Sequence, residues 1–345
     1  MRKKHNHRIF VFICIIASLV LATLACGTSD EPELVATSEP EEETAAEEAD
    51  TPDEPVSEGE VEPTPANFEI GDTISIGDRT VIVLGWENIP PDEFFTPDEG
   101  FKYIGVELVI VNTGETPKST SSILQMKVKD ETAQQYTVDF MAQSQLKGGN
   151  VEGELISGEK IRGKVGFQVP EDVQSLELVF DAEVFGTGKV FVNLGSEPKM
   201  VEAPSEIPGE KELETYSIGE SIEMNDMVLT VNEVSSPAGD QFTKPSEGYK
   251  FLVVDLTLIN NSSTAVNISS LMQMFVKDSA GRKFDVDIWA TTAGGGTTPD
   301  GEYAPGETIR GQVGYEVPAD ETQFIFVFEA DFWGTGKILV DLPLE

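Results

Sequence analysis

Gly311-Gln312-Val313-Gly314-Tyr315-Glu316-Val317 alternates in polarity with a period of two. That is the pattern of a strand with one face buried and one face wet. Val106-Glu107-Leu108-Val109-Ile110 begins the same way earlier in the chain. Around these stretches lie further β-branched or aromatic runs: Thr80 to Leu84, Tyr103 to Val111, Leu124 to Lys129, Ile161 to Val169, Leu176 to Phe180 and Val190 to Leu194. Gly, Asn, Asp and Pro clusters separate them, as turns between strands require. No stretch of ten or more residues shows helical periodicity. Seven or eight short strands in about 125 residues predict an all-β fold, a β-sandwich of immunoglobulin-like type.

The runs recur. A shift of 148 residues lays Val228 to Val231, Phe251 to Ile259, Met272 to Lys277, Ile309 to Val317, Phe324 to Phe328 and Ile338 to Leu342 on the first set, without a gap. Gly71-Asp72 meets Gly219-Glu220, Gln125-Met126 meets Gln273-Met274, and Gly186-Thr187-Gly188-Lys189 meets Gly334-Thr335-Gly336-Lys337. The period is far too long for a solenoid, so this is tandem duplication of a whole domain. The expected organisation is residues 67–196 for the first copy, 197–214 for a proline-bearing, semi-stiff linker, and 215–345 for the second copy.

The N-terminal part reads differently. Met1 to Arg8 is basic, Ile9 to Leu24 is apolar, and Ala25-Cys26 follows. This is the pattern of an export signal spanning residues 1–25. It resembles a lipobox, which implies lipidation of Cys26 and an anchor in the outer face of the cell membrane or in the outer membrane. Residues 26–66 hold fifteen Asp or Glu between Asp30 and Glu62, with no Lys, Arg or aromatic there. Such a segment buries too little apolar surface to offset the entropy of ordering, so a disordered acidic tether is expected.

The chain carries 62 acidic and 23 basic residues, a net charge of −39. Removal of residues 1–25 leaves 19 of those basic residues against all 62 acidic ones, a net of −43. That balance excludes nucleic acid as a partner and favours cations or basic proteins. Both histidines, His5 and His7, and the cysteine Cys14 precede Cys26. Beyond Cys26 there is no histidine and no thiol to serve as general base, nucleophile or zinc ligand. The expectation is a non-enzymatic protein without a cofactor.

Several features together resemble a known family. They are Phe-x-x-Pro-x-Glu-Gly-x-Lys before a long strand (Phe94 to Lys102, Phe242 to Lys250), an Asn at that strand's end (Asn112, Asn260), and Gly-Glu-x-Ile-Arg-Gly-x-Val-Gly-[Phe/Tyr]-x-Val-Pro. The chain is similar over both copies to the bacterial domain-of-unknown-function family numbered 4352. That family is similar in fold to a secreted mycobacterial antigen with an immunoglobulin-like sandwich. The resemblance implies an exported or lipid-anchored sandwich and brings no catalytic residues and no ligand.

Local candidates follow. Gly186 to Lys189 and its counterpart are not phosphate loops, because the spacing is wrong and a strand follows. Glu99 and Glu247 sit in the recurring turn, either as recognition residues or as turn charges paired with Lys102 and Lys250. Asp130, Asp139, Asp278, Asp285 and Asp287 could supply oxygen to calcium, but the Asp-x-Asp-x-Asp-Gly loop is missing and turn roles suffice. The divergent, Gly-rich stretches Met141 to Ser157 and Trp289 to Pro305 read either as binding loops, with Trp289 and Tyr303 as ligand candidates, or as neutral loops free to diverge. The leading expectation is thus a membrane-anchored display protein whose two modules meet an extracellular protein or a cell-wall partner. An inert envelope spacer and a carboxylate-based extracellular hydrolase are the alternatives.

Overall fold

The computed structural model describes residues 67–91, 94–182, 188–329 and 336–344. The signal segment, Cys26 and the acidic stretch lie outside these residues. The first copy runs β1 (Asn67–Glu69), β2 (Ile74–Ile76), β3 (Arg79–Ile89), β4 (Phe101–Asn112), β5 (Lys118–Thr120), α1 (Ser122–Gln125), β6 (Met126–Asp130) and β7 (Gln135–Thr137). It continues through α2 (Phe140–Gln145), β8 (Gly153–Leu155), β9 (Lys160–Pro170), β10 (Leu176–Asp181), β11 (Lys189–Gly195) and β12 (Lys199–Met200). The second copy runs β13 (Ser221–Met224), β14 (Met227–Ser235), β15 (Tyr249–Asn260), β16 (Val266–Ile268), α3 (Ser270–Gln273) and β17 (Met274–Asp278). Its remainder is β18 (Lys283–Asp285), α4 (Ile288–Gly294), β19 (Gly301–Tyr303), β20 (Thr308–Pro318), β21 (Gln323–Glu329) and β22 (Lys337–Pro343).

Each copy is a two-sheet sandwich, as the alternation predicted. In the first copy β1-β11-β10-β6-β7 faces β12-β3-β4-β9, with β2 on β3. In the second, β18-β17-β21-β22 faces β13-β14-β15-β20. Inward positions fill one core per copy: Trp86, Ile104, Leu108, Phe167 and Phe180 in the first, Leu252, Leu256, Tyr315, Phe324 and Phe328 in the second. Each such side chain contributes about 1.5–3 kcal/mol by leaving water. The Trp86 indole N–H donates to the Leu194 carbonyl at 2.9 Å, so its polar atom is satisfied inside the core.

The recurring asparagine has a structural role. Asn112 is buried at the end of β4, and its amide donates to the carbonyls of Thr116 and Leu155, each at 2.8 Å. Asn260 does the same with Thr264 at 2.8 Å and Tyr303 at 2.9 Å. Each asparagine pins the loop that follows its strand to the edge strand β8 or β19.

The stretch 197–214, read from sequence as a semi-stiff linker, packs along the first copy. β12 pairs antiparallel with β3, and Val201 N donates to Leu84 O at 2.8 Å. Val201, Ala203 and Ile207 then cover Ile82, Leu84, Val109 and Val111 on the outer face of the sheet. Gly85, with φ +135°, makes this pairing possible, because a Cβ there would stand 1.8 Å from Lys199 O. Four short helices stand between the strands among the described residues. They have four to seven residues each, too few to imprint a 3.6-residue period on the sequence.

Candidate functional site at the junction of the two copies

The strap over β3 and β4 delivers the chain to the turn before β9. Lys211 N donates to Gly158 O at 3.1 Å, and Lys160 pairs with Glu210 at 2.7 Å. There the second copy applies the outer face of its β17–β21–β22 sheet to the first. Phe275, Val327 and Leu339 point away from their own core and are nevertheless buried.

At the centre is Glu159, which is 1% exposed. One of its oxygens accepts from Ile156 N at 2.8 Å, which fixes the turn within the first copy. The carboxylate also binds the ammonium of Lys277 and, at 3.2 Å, that of Lys337, both from the second copy. Lys277 donates further to Lys160 O at 3.0 Å, while Lys337 reaches Glu154 O and stands 3.4 Å from the Glu329 carboxylate. Two ammonium groups thus meet two carboxylates, and the spare donors find carbonyls, which is what makes buried charge tolerable. Burial alone would raise the Glu159 carboxyl, but the Lys277 and Lys337 charges and their hydrogen bonds hold it below the usual carboxylate range. Burial also lowers the Lys277 ammonium, against the pull of Glu159. Beside this cluster Arg162 N donates to Gly281 O at 2.9 Å, a backbone bridge between the copies.

Further along the junction lies an open polar cleft of about 310 Å³. Gln143, Leu146 and Asn150 line it from the first copy, and Lys283, Asp285, Asp287 and Glu316 from the second. Lys147 bridges its rim, donating to Ser246 Oγ at 2.6 Å, standing 3.6 Å from Glu316 and 4.9 Å from the Tyr249 ring centre. Asn150 donates to Asp285 at 3.2 Å. A cleft with three carboxylates, two amides and the Lys283 ammonium, which stands 3.2 Å from Asp285, can orient a small polar ligand.

The residues singled out from sequence are dispersed. Asp285 and Asp287 meet at the cleft, although Asp287 also caps α4 by accepting from Ala290 N, as Asp139 caps α2 by accepting from Ala142 N. Asp130 is occupied by Thr132 and Gln134, whose backbone N–H groups and the Thr132 hydroxyl bind it at 2.7–3.0 Å, and by Tyr136. These bonds, the Thr132 and Tyr136 hydroxyls foremost, hold its carboxyl low, while burial and Asp130 push Tyr136 up to about 12. Asp278 is spent on Arg282. Among the described residues no three His, Cys, Asp or Glu side chains converge as a metal would need. Trp289 is exposed on α4.

Tyr303 is a correction: it is a core residue, buried at 3% exposure, and its hydroxyl donates to Pro299 O. Glu99 and Glu247 are exposed beside Gly100 and Gly248. Their lysines turn elsewhere, Lys102 over the Trp86 ring at 5.6 Å and Lys250 to Glu321 O at 2.6 Å. Sequence reasoning missed Glu159, Lys277 and Lys337. The available signal was Phe275, an aromatic at an outward strand position where the first copy has Lys127.

A tandem pair of β-sandwiches of this kind defines the class. The chain belongs to the family described as Domain of unknown function (DUF4352), which matches residues 68–190 and again 216–338. Among solved structures, a conserved hypothetical protein from Bacillus anthracis is 19% identical over 36% of this chain and 94% of its own, with a TM-score of 0.29. A putative lipoprotein from Bacillus subtilis is 11% identical over 36% of this chain and 38% of its own, with a TM-score of 0.30. An uncharacterized β-sandwich protein from Clostridium difficile is 17% identical over 39% of this chain and 98% of its own, with a TM-score of 0.27. A search of curated protein sequences gives no match.

Proposed function

We propose that this is an extracytoplasmic lipoprotein, anchored through Cys26, whose two sandwiches act together in recognition rather than catalysis. The observation that carries the recognition role is the polar cleft at the junction, whose walls come from both copies. A ligand held there contacts two modules that Glu159 has already fixed in place, so little ordering entropy opposes binding. The address rests on the basic start, the apolar run and Cys26. The missing histidine and thiol beyond Cys26 favour recognition.

Two measurements test this reading. Cys26→Ser should release the protein from the membrane or leave an unprocessed precursor; unchanged retention with normal processing refutes the anchor. Thermal-shift titration with small amines, sugars and cell-wall fragments should find a ligand that raises the melting temperature of the wild type but not of Asp285→Asn/Glu316→Gln. A flat response across the set would favour an inert spacer over a binding protein.

A further inference from the structure

All four helices of the described residues are built inside out. α1 buries Ser122 and Gln125 and exposes Ile123 and Leu124; α3 buries Ser270 and Gln273 and exposes Leu271 and Met272. α2 buries Ala142 and exposes Phe140 and Met141, and α4 buries Ala290 and Thr291 and exposes Ile288 and Trp289. The outward apolar residues are between 51% and 72% exposed. A helix folded for stability alone turns its large apolar residues inward.

The inward contacts explain how these helices are held without their large side chains. Gln125 Nε2 donates to Asp181 O at 3.0 Å, and Gln273 Nε2 to Glu329 O at 3.1 Å. α2 and α4 lie flush on β9 and β20 because Gly166 and Gly314 stand beneath them. A Cβ on Gly314 would meet Thr291 N at 2.2 Å, and one on Gly166 would meet Gln143 N at 2.5 Å. The bulky residues are left outside, where folding gives them no task.

Eight of the twelve large apolar residues exposed among the described residues stand on these helices, as four pairs related by the 148-residue shift. Within each pair the residue type changes, Phe140-Met141 against Ile288-Trp289, while apolar bulk persists. Off the helices, the exposed Phe94 and Phe242 also persist, whereas two covered outward positions changed character: Ile82 stands opposite Thr230, and Lys127 opposite Phe275. Persistent exposed apolar bulk marks a contact surface, and Met and aromatic residues are enriched at such surfaces.

The charges narrow the partner. The helices carry no ionisable residue, and carboxylates flank every one of them. Asp139 and Asp287 cap α2 and α4, while Glu152 and Asp300 accept from the first residues of α1 and α3. With a net charge of −39 on the whole chain, anionic bilayers are repelled and basic polypeptides attracted. We propose that these helices form, on each copy, a docking surface for a cationic polypeptide carrying large apolar side chains. This deepens the recognition role proposed above but uses a surface other than the cleft.

The test uses the full chain in phosphatidylcholine nanodiscs and a fluorescein-labelled 18-residue amphipathic peptide of leucine and lysine, read by anisotropy. Saturable, salt-sensitive binding is expected, with at least a tenfold loss of affinity in Phe140→Ser/Met141→Ser/Ile288→Ser/Trp289→Ser at unchanged melting temperature. The cleft variant Asp285→Asn/Glu316→Gln should bind as the wild type does. Absence of saturable binding overturns the proposal, as do equal affinity in the serine variant or a large fall in its melting temperature. Loss confined to the cleft variant would assign the peptide to the cleft instead. Brominated lipid that quenches the emission contributed by Trp289 would assign the helices to the bilayer and overturn a polypeptide partner.

Discussion

Replacing Glu159 by Gln removes one charge from a site where two ammonium groups depend on it. Lys277 and Lys337 are themselves buried, so neither can turn to water without opening the junction. Breaking a buried pair by deleting one partner typically costs about 3–5 kcal/mol. For a unit of this size that lowers the melting temperature by roughly 6–20 °C. Glu307→Gln is the matched control. Glu307 is the counterpart of Glu159, accepts from Ala304 N at 2.9 Å as Glu159 does from Ile156 N, and is exposed. Its replacement should cost about 1 kcal/mol or less. The pH dependence fixes the sign. Because the folded-state pKa of Glu159 is lowered, its contribution is full above the unfolded value of about 4.3 and is lost as pH falls through the folded value. Differential scanning calorimetry at pH 7 should show the Glu159→Gln transition well below that of wild type or split in two, and the gap should close as the solution is acidified. If Glu159→Gln and Glu307→Gln melt alike at pH 7, the cluster does not couple the copies and the argument fails.

Three further outcomes follow from the same geometry. Phe275→Lys gives the second copy the residue of the first and places a third ammonium beside those of Lys283 and Lys337, which stand 4.5 and 5.8 Å from the Phe275 ring centre, so small-angle scattering should show a more extended particle. Asn112→Ala leaves the Thr116 and Leu155 carbonyls unsatisfied, and urea unfolding should register a loss of about 2–3 kcal/mol. Gly314→Ala should lift α4 from β20 without unfolding the sandwich, read as faster proteolysis near Trp289 at unchanged far-ultraviolet circular dichroism.

Most of the fold was legible because a strand writes a period of two into its sequence, and duplication wrote it twice. The cover over the first copy was also legible in principle. Thr80-Val81-Ile82-Val83-Leu84 is apolar on both faces, whereas the second copy has Thr230 and Asn232 where the first has Ile82 and Leu84. A strand apolar on both sides needs something on both sides, and residues 201–207 supply it. The helices were not legible, since four to seven residues with their large side chains outward give no inward stripe to detect. Tyr303 was misplaced because its strand, Gly301–Tyr303, is too short to show alternation. The charge cluster escaped because Glu159, Lys277 and Lys337 are far apart in sequence and each has a counterpart in the other copy that plays no such part.

That inequality between counterparts bears on how the chain assembles. A contact between the outward sheet of one unit and the β9 turn of another is head-to-tail, and repetition of such a contact builds open-ended fibres. The second copy keeps an exposed Glu307 with which a next unit could start. The first copy, however, presents Lys127 and Glu177 where the second presents Phe275 and Ile325, and its Lys129 and Lys189 are already turned to Glu177 and Asp181. The face that would accept another molecule's Glu307 is therefore wetted and self-paired. The two copies thus present one apolar joint inside the chain and, at the equivalent place on the first copy, a charged surface whose lysines are paired at home.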